Sequence, residues 1–408
     1  MSVNLTLGIQ AAINIAYADV EFSQACTGLT TGVRLEIRTG ERASHLDLVP
    51  ETLDSMLLLS AEAHTWEQLM LPAPPVGLHS FTAAVRDPAR LRVAGDAVHV
   101  AQCLHALERF FEILRGQTRN EPVPAPALEN VTGHYATVGI ASIPAIYYER
   151  AGRRDAPAVV MLHTAGADSR QYHHLLADQE FQANWDMYAF DMPAHGRSMP
   201  AADLLWQGYR LDKAGYAATC AAFIDTVIGK PAVVLGCSMG AAMALYMGKV
   251  HPALVAGIVA LEAPYRAKGR KTPYLAHPQV NQAAHNPSYV RGLMSPTSPL
   301  QQRRAAAWIY SQGGFQVYSG DLGFYSDEFD AETDVEGLDG TSKPIYLLTG
   351  AYDYSATPAD SQRVANLIPA ARFVEMPDLG HFPMIENPDA LLDYLKPVMR
   401  EIRTRTPS

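Results

Sequence analysis

Two patterns of apolar and polar positions divide the chain. In "VRLEIRT" (Val33–Thr39) apolar and charged residues alternate, which predicts a half-buried strand, and "SHLDLV" (Ser44–Val49) keeps the same period. "SAEAHTWEQLM" (Ser60–Met70) reads as a helix. "ARLRVAGDAVHVAQCLHALERFFEILRG" (Ala89–Gly116) gives a short strand, a turn at Gly95-Asp96 and an amphipathic helix that closes at Gly116. This is an α+β pattern, and it occupies residues 1–120. The Pro-rich, polar "RNEPVPAPALEN" (Arg119–Asn130) then marks a linker, placed at 121–132.

From about Gly133 the pattern changes. "ATVGIASIPAIYYERAG" reads as a hairpin-like pair. "AVVMLHTAG", "WDMYAFDMPAHGRS", "PAVVLGCSMG", "VAGIVALEAP", "KPIYLLTGAYD" and "ARFVEMPDLGHFP" are apolar runs, each ending in small or polar residues. Such runs are the buried strands of a doubly wound, mostly parallel α/β sheet, in which ligands sit beyond the carboxyl ends of the strands. Residues 133–263 and 344–408 form this core. Between them, 264–343 lacks strand runs but carries ten aromatic residues, from Tyr265 to Phe329, and is expected to be an inserted helical lid.

Composition narrows the function. The net charge of −10 disfavours nucleic acid or an anionic membrane surface as main partner. No apolar run reaches membrane-spanning length, and "MSVNLTLGIQAAINIAYADVEF" has neither a basic start nor a cleavage pattern, so no signal peptide is expected. Cys26, Cys103, Cys220 and Cys237 show no paired spacing. A reduced, cytoplasmic setting fits, and a structural zinc site does not.

The candidate chemistry lies at strand ends. Gly-Cys-Ser-Met-Gly is weak alone, since Gly-x-Ser-x-Gly arises by chance roughly one time in ten at this length. Here it follows a buried strand and opens a helix, the setting of a nucleophile elbow. The turn presents Ser238, and the amide of Met239 is free to bind an oxyanion. A hydroxyl needs a base, which His381 of "DLGHFP" supplies, and the base needs a carboxylate. Asp353 of "TGAYD" is the first choice and Glu262 of "VALEAP" the alternative acid. Thr164 or Ala165 of "HTAG" offers the second oxyanion amide. His163, Asp191 and His195 read as structural residues of their loops, and Cys237 as buried packing.

In this order, "HTAG", "DMPAHGRS", "GCSMG", "TGAYD" and "GHFP" resemble the α/β-hydrolase fold superfamily over residues 133–400. The resemblance implies a Ser238–Asp353–His381 triad, a lid after the sixth strand, and no cofactor or metal. Two departures, Thr164 where a Gly is usual and Ala241 after Gly240, narrow the space near the oxyanion. The expected function is hydrolysis of a carboxylic ester or lactone of a small apolar, aromatic substrate, as in bacterial hydrolases of aromatic esters and degradation intermediates. A carbon–carbon hydrolase acting on a diketone is the runner-up, and a non-catalytic binder of apolar ligands the alternative of another class. The N-terminal segment resembles sterol-carrier-protein-2-like domains. An oligomerisation domain, making the chain a homo-oligomer, is the equal alternative.

Overall fold

The computed structural model describes residues 2–49, 55–119, 121–201 and 208–406. Twelve strands are assigned among them, in two sheets. The first four are β1 (Thr31–Thr39), β2 (Arg42–Val49), β3 (Ser55–Glu62) and β4 (Arg92–Ala94). They lie in the order β2-β1-β3-β4, with β1 antiparallel to β2 and parallel to β3. The helix Ala97–Leu114 is buried along most of its length and is capped by Asp96, whose carboxylate accepts from the amide of Val98 at 2.7 Å.

Two differences from the sequence reading stand out here. Ser60–Glu62 belongs to β3, and the helix begins only at Ala63. Pairing with β1 overrides the local pattern: Ser60 sits opposite Glu36 and its hydroxyl donates to that carboxylate at 2.5 Å. The second difference is a helix over Ser2–Ala18. Its Leu5, Ile9, Ala12, Ile13 and Ala16 recur at helical spacing and are buried.

Residues 121–131 carry no helix or strand. The large sheet follows: β5 (Thr132–Ala136), β6 (Ile146–Gly152), β7 (Ala158–Leu162), β8 (Asp186–Phe190), β9 (Ala232–Cys237), β10 (Val255–Leu261), β11 (Ile345–Gly350) and β12 (Arg372–Met376). Their order is β12-β11-β10-β9-β7-β8-β6-β5. Pairings from β8 through β12 are parallel, while β5 and β6 add an antiparallel edge. Every residue of β7, β8, β9 and β11 is buried, which explains their unbroken apolar runs. The edge strand β12 is half-exposed. The result is an α/β sheet covered by helices, preceded by a small α+β unit, as the two patterns predict. No helix among the described residues is long and apolar enough to cross a membrane.

The segment between β10 and β11 is helical, with helices at Gln282–Arg291, Leu300–Ser311 and Val317–Leu322. Parallel strands point the same way, so the loops after β7, β9, β10, β11 and β12 meet at one sheet edge, beneath this segment.

Candidate active site

Ser238 follows β9 directly and opens the helix Met239–Val250. Its backbone has φ 56° and ψ −113°, a strained conformation for a side-chain-bearing residue. Two glycines permit the turn. A Cβ on Gly236 would run into the Gly240 carbonyl, and one on Gly240 into the Leu162 carbonyl. The strain holds the Ser238 hydroxyl above the sheet edge, in a buried position.

The structure brings Ser238, His381 and Asp353 together. His381 Nδ1–H donates to Asp353 Oδ2 at 2.5 Å, which leaves Nε2 to accept from Ser238 Oγ–H at 2.8 Å. Asp353 Oδ1 accepts from the amides of Ser355 and Ala356, at 2.6 and 3.1 Å. All three side chains are buried, so a proton moving along this line meets little competition from water.

Glu262, the alternative acid, lies beside Asp353 rather than against Ser238. It also has a positive φ, of 55°, and is fully buried. The amide of Gly350 donates to its carboxyl group at 3.0 Å. Burial, and next the charge of Asp353, hold the Glu262 pKa well above the usual carboxylate range. Glu262 is therefore the neutral acid of the pair, with its proton available to Asp353. The facing atoms of Glu262, Asp353 and His381 lie within 4.8 Å of one another, and a cation could be imagined there. The His381–Asp353 hydrogen bond already occupies the facing nitrogen and oxygen. A third carboxyl, Glu386, accepts from the amides of Gly380 and Ser295, and burial raises its pKa to about 8.

The oxyanion assignment needs one correction. The Thr164 amide is taken: it donates to Gln171 Oε1 at 3.1 Å. The Gly166 amide is taken too, by Asp321 Oδ2 at 2.7 Å. Ala165, between them, lines the cavity at Ser238. Of the expected oxyanion amides, this leaves those of Ala165 and Met239. The spacing of "HTAG" could not show this, because Gln171 and Asp321 come from elsewhere. Thr164 has a different role: its hydroxyl meets the Tyr310 hydroxyl, which ties the helical segment to the loop after β7.

The loop residues read as structural do hold loops. Asp191 accepts from the amides of Ser169 and Arg197, both at 2.8 Å. His163 Nε2 accepts from the Met192 amide, so its Nδ1–H donates to Thr164 O. Burial, then His195, lowers its pKa to about 4, and it is neutral. Both nitrogens of His195 face acceptors, the Pro193 carbonyl and Asp321 at 2.8 Å. Burial lowers its pKa, but Asp321, the Pro193 carbonyl and Asp191 together raise it above the ordinary value. Cys237 is buried and inert, its thiol pKa pushed far up by burial.

The aromatic residues of the helical segment have three fates. Trp308 and Phe315 are exposed, and Phe324 and Phe329 pack in the core. Tyr310, Tyr318 and Tyr325 line the cavity with Ser238, His381, Phe382 and Arg270. The wall is thus aromatic, and the tyrosine hydroxyls and the Arg270 guanidinium give it polar groups. Its free volume, about 10 Å³, suits one water molecule.

A sequence profile of the Alpha/beta hydrolase family matches residues 159–394, more than half of the chain. Among curated proteins, the chain is 28% identical to a chloroplastic pheophytinase of Arabidopsis thaliana, over 29% of this chain and 30% of that protein. The chain thus spans under a third of that relative. Among solved structures, it resembles a thermophilic esterase from Thermogutta terrifontis with malate bound, at 18% identity and TM-score 0.55, over 67% of this chain and 99% of that one. It is equally similar to an enol-lactonase from Burkholderia xenovorans, also at 18% and 0.55, over 65% and 100%. At such identity these likenesses establish the fold.

Proposed function

Because the chain belongs to the alpha/beta hydrolase family, we propose that it hydrolyses a carboxylic ester or lactone through an acyl-enzyme on Ser238. One observation carries this reading: the unbroken Ser238–His381–Asp353 hydrogen-bond line, buried and ending on a hydroxyl held in a strained turn. Esterases and a lactonase among the similar structures agree with it.

The geometry gives each group a step. Ser238 Oγ attacks the carbonyl carbon while its proton passes to His381 Nε2. The carbonyl electron pair moves onto oxygen, where the Met239 and Ala165 amides receive the charge. Asp353 fixes the tautomer of His381 and stabilises the imidazolium. The intermediate collapses, and the alcohol leaves with the proton from Nε2. Water, deprotonated by His381, then releases the acid and restores Ser238. The small cavity supports reading the helical segment as a lid that shifts to admit substrate.

The test is direct. Ser238→Ala is expected to lower kcat on p-nitrophenyl acetate by about 10³-fold or more, and a fluorophosphonate is expected to label Ser238 alone. Undiminished turnover by Ser238→Ala, or labelling elsewhere, refutes the proposal.

A further inference from the structure

Arg270 is the anomaly of the cavity. It is 4% exposed and lines the same space as Ser238 and His381. A buried guanidinium is costly unless a charge of opposite sign faces it. Elsewhere the chain follows that rule. Arg109, Arg291 and Arg303 are all buried, and all pair with Glu112. Among the described residues Arg115 makes no direct ion pair, but it still faces Glu112 and Glu108.

Among the described residues, no carboxylate pairs with Arg270. Its Nη1 and Nη2 donate to the hydroxyls of Tyr289 and Tyr318, at 3.0 and 3.3 Å, and its Nε has no partner. Both partners are phenols, not carboxylates, and burial pushes Tyr318 up to about 12, although Arg270 pulls it down. The Tyr325 hydroxyl faces Ser238, Ser355 and Arg270. A cation without a carboxylate, with a spare Nε–H, thus lies in the wall of the space beside the Ser238 hydroxyl. This arrangement is complete only when an anion enters.

We propose that Arg270 forms an anion subsite of this cavity, so that the substrate is an ester or lactone carrying a free carboxylate. The inference rests on the hydrolase reading of Ser238 and adds the substrate class to it. A guanidinium fork matches a carboxylate in two parallel hydrogen bonds. Among the described residues Arg270 is the one cation lining this cavity, which suits a single negative charge better than a phosphate dianion. It adds a charge to the small apolar, aromatic substrate expected from the aromatic count of the helical segment.

Matched pairs of esters test it. The acyl side is probed by the mono-p-nitrophenyl ester of glutaric acid against p-nitrophenyl pentanoate, and the alcohol side by acetoxybutanoate against pentyl acetate. The wild-type kcat/KM is expected to favour the carboxylate in at least one pair, by on the order of 100-fold. Arg270→Gln is expected to abolish that preference, its loss falling on the carboxylate member of the pair far more than on the neutral one. Arg270→Lys, which keeps the charge without the fork, falls between. Free glutarate is expected to raise the Tm of the wild type and not of Arg270→Gln, and phosphate to raise neither. Neutral esters preferred in both pairs, or Arg270→Gln slowing both members equally, overturns the subsite, as does stabilisation by phosphate alone. If neutral esters turn over and fluorophosphonate labels Ser238, only the subsite has failed. If Ser238 is neither labelled nor needed, the hydrolase reading has failed, and the glutarate shift still decides on Arg270. Should Arg270→Gln not fold, the wild-type preference decides.

Discussion

Exchanging each of the two acids beside His381 for its amide separates their roles. Glu262→Gln keeps what the structure shows Glu262 doing. Its carbonyl can accept from the Gly350 amide, now at 3.0 Å, and its NH₂ can donate to Asp353. Glu262 already carries its proton, because burial and then Asp353 hold its pKa high, so the exchange removes no charge at neutral pH. An ionised Glu262 would face the Asp353 charge within 4.8 Å. At an effective dielectric of about 20 that repulsion is roughly 3.5 kcal/mol, which explains why the proton stays. We expect kcat of Glu262→Gln within about threefold of the parent, or about 0.6 kcal/mol. Asp353→Asn differs. It removes the charge opposite His381 Nδ1, and an NH₂ in its place selects the tautomer whose Nε2 bears the proton. Ser238 then has no acceptor, and the expected loss is about 10⁴-fold, or roughly 5.4 kcal/mol. The assay is kcat on p-nitrophenyl acetate from about pH 6 to 9, with circular dichroism melts to show that both variants fold. A folded, inactive Glu262→Gln beside an active Asp353→Asn refutes the assignment and makes Glu262 the triad acid.

Two further predictions concern stability. Glu112 bonds Arg109, Arg291 and Arg303 at 3.0, 2.5 and 3.0 Å, so Glu112→Gln strands buried cations and is expected to cost roughly 3–5 kcal/mol in urea melts. Burial raises the Glu112 pKa, but these arginines outweigh it and bring it to about 2; its contribution is present above the unfolded value of 4.5 and lost as pH falls towards 2. A Glu112→Gln chain with the parent's midpoint and acid sensitivity contradicts this. Glu386 has the opposite sign: its folded pKa of about 8 exceeds the unfolded 4.5, so the folded state keeps a proton that the unfolded state releases. Stability declines as pH rises from 4.5 to about 8, by up to ~1.4 kcal/mol per pH unit, and Glu386→Gln is expected to remove that slope from denaturation midpoints. Parallel slopes in parent and variant count against it.

What could be read from the chain was what neighbours along the chain decide. The apolar runs of β7, β9 and β11 are legible because both faces of those strands are buried, and a parallel sheet then gathers their ends. Ser238, Asp353 and His381 follow from that one rule. Which acid is charged does not, because Glu262 and Asp353 both end strands, and only their closeness and common burial set the proton. The oxyanion amides were half legible: "HTAG" gives the loop, and the distant Gln171 and Asp321 decide that Ala165 is the free one. Arg270 carries no sequence signal at all, since what marks it is the lack of a facing carboxylate among the described residues.

The first 120 residues were least legible for the same reason. Their buried charges meet partners far along the chain: Glu112 pairs with Arg303 and Arg291, and the Gln117 side-chain amide donates to the Pro296 carbonyl at 2.6 Å. These contacts reach the helical segment that roofs the cavity. Ser80 Oγ donates to the Gly292 carbonyl at 2.7 Å, and the next carbonyl, that of Leu293, accepts from the His381 amide at 3.1 Å. Two residues on, the Ser295 amide donates to Glu386, whose other oxygen takes the Gly380 amide. The N-terminal unit therefore braces residues 292–295, and these hold the backbone of the loop that carries the proposed base. A unit with no catalytic motif thus bears on the position of His381 through its docking against the roof.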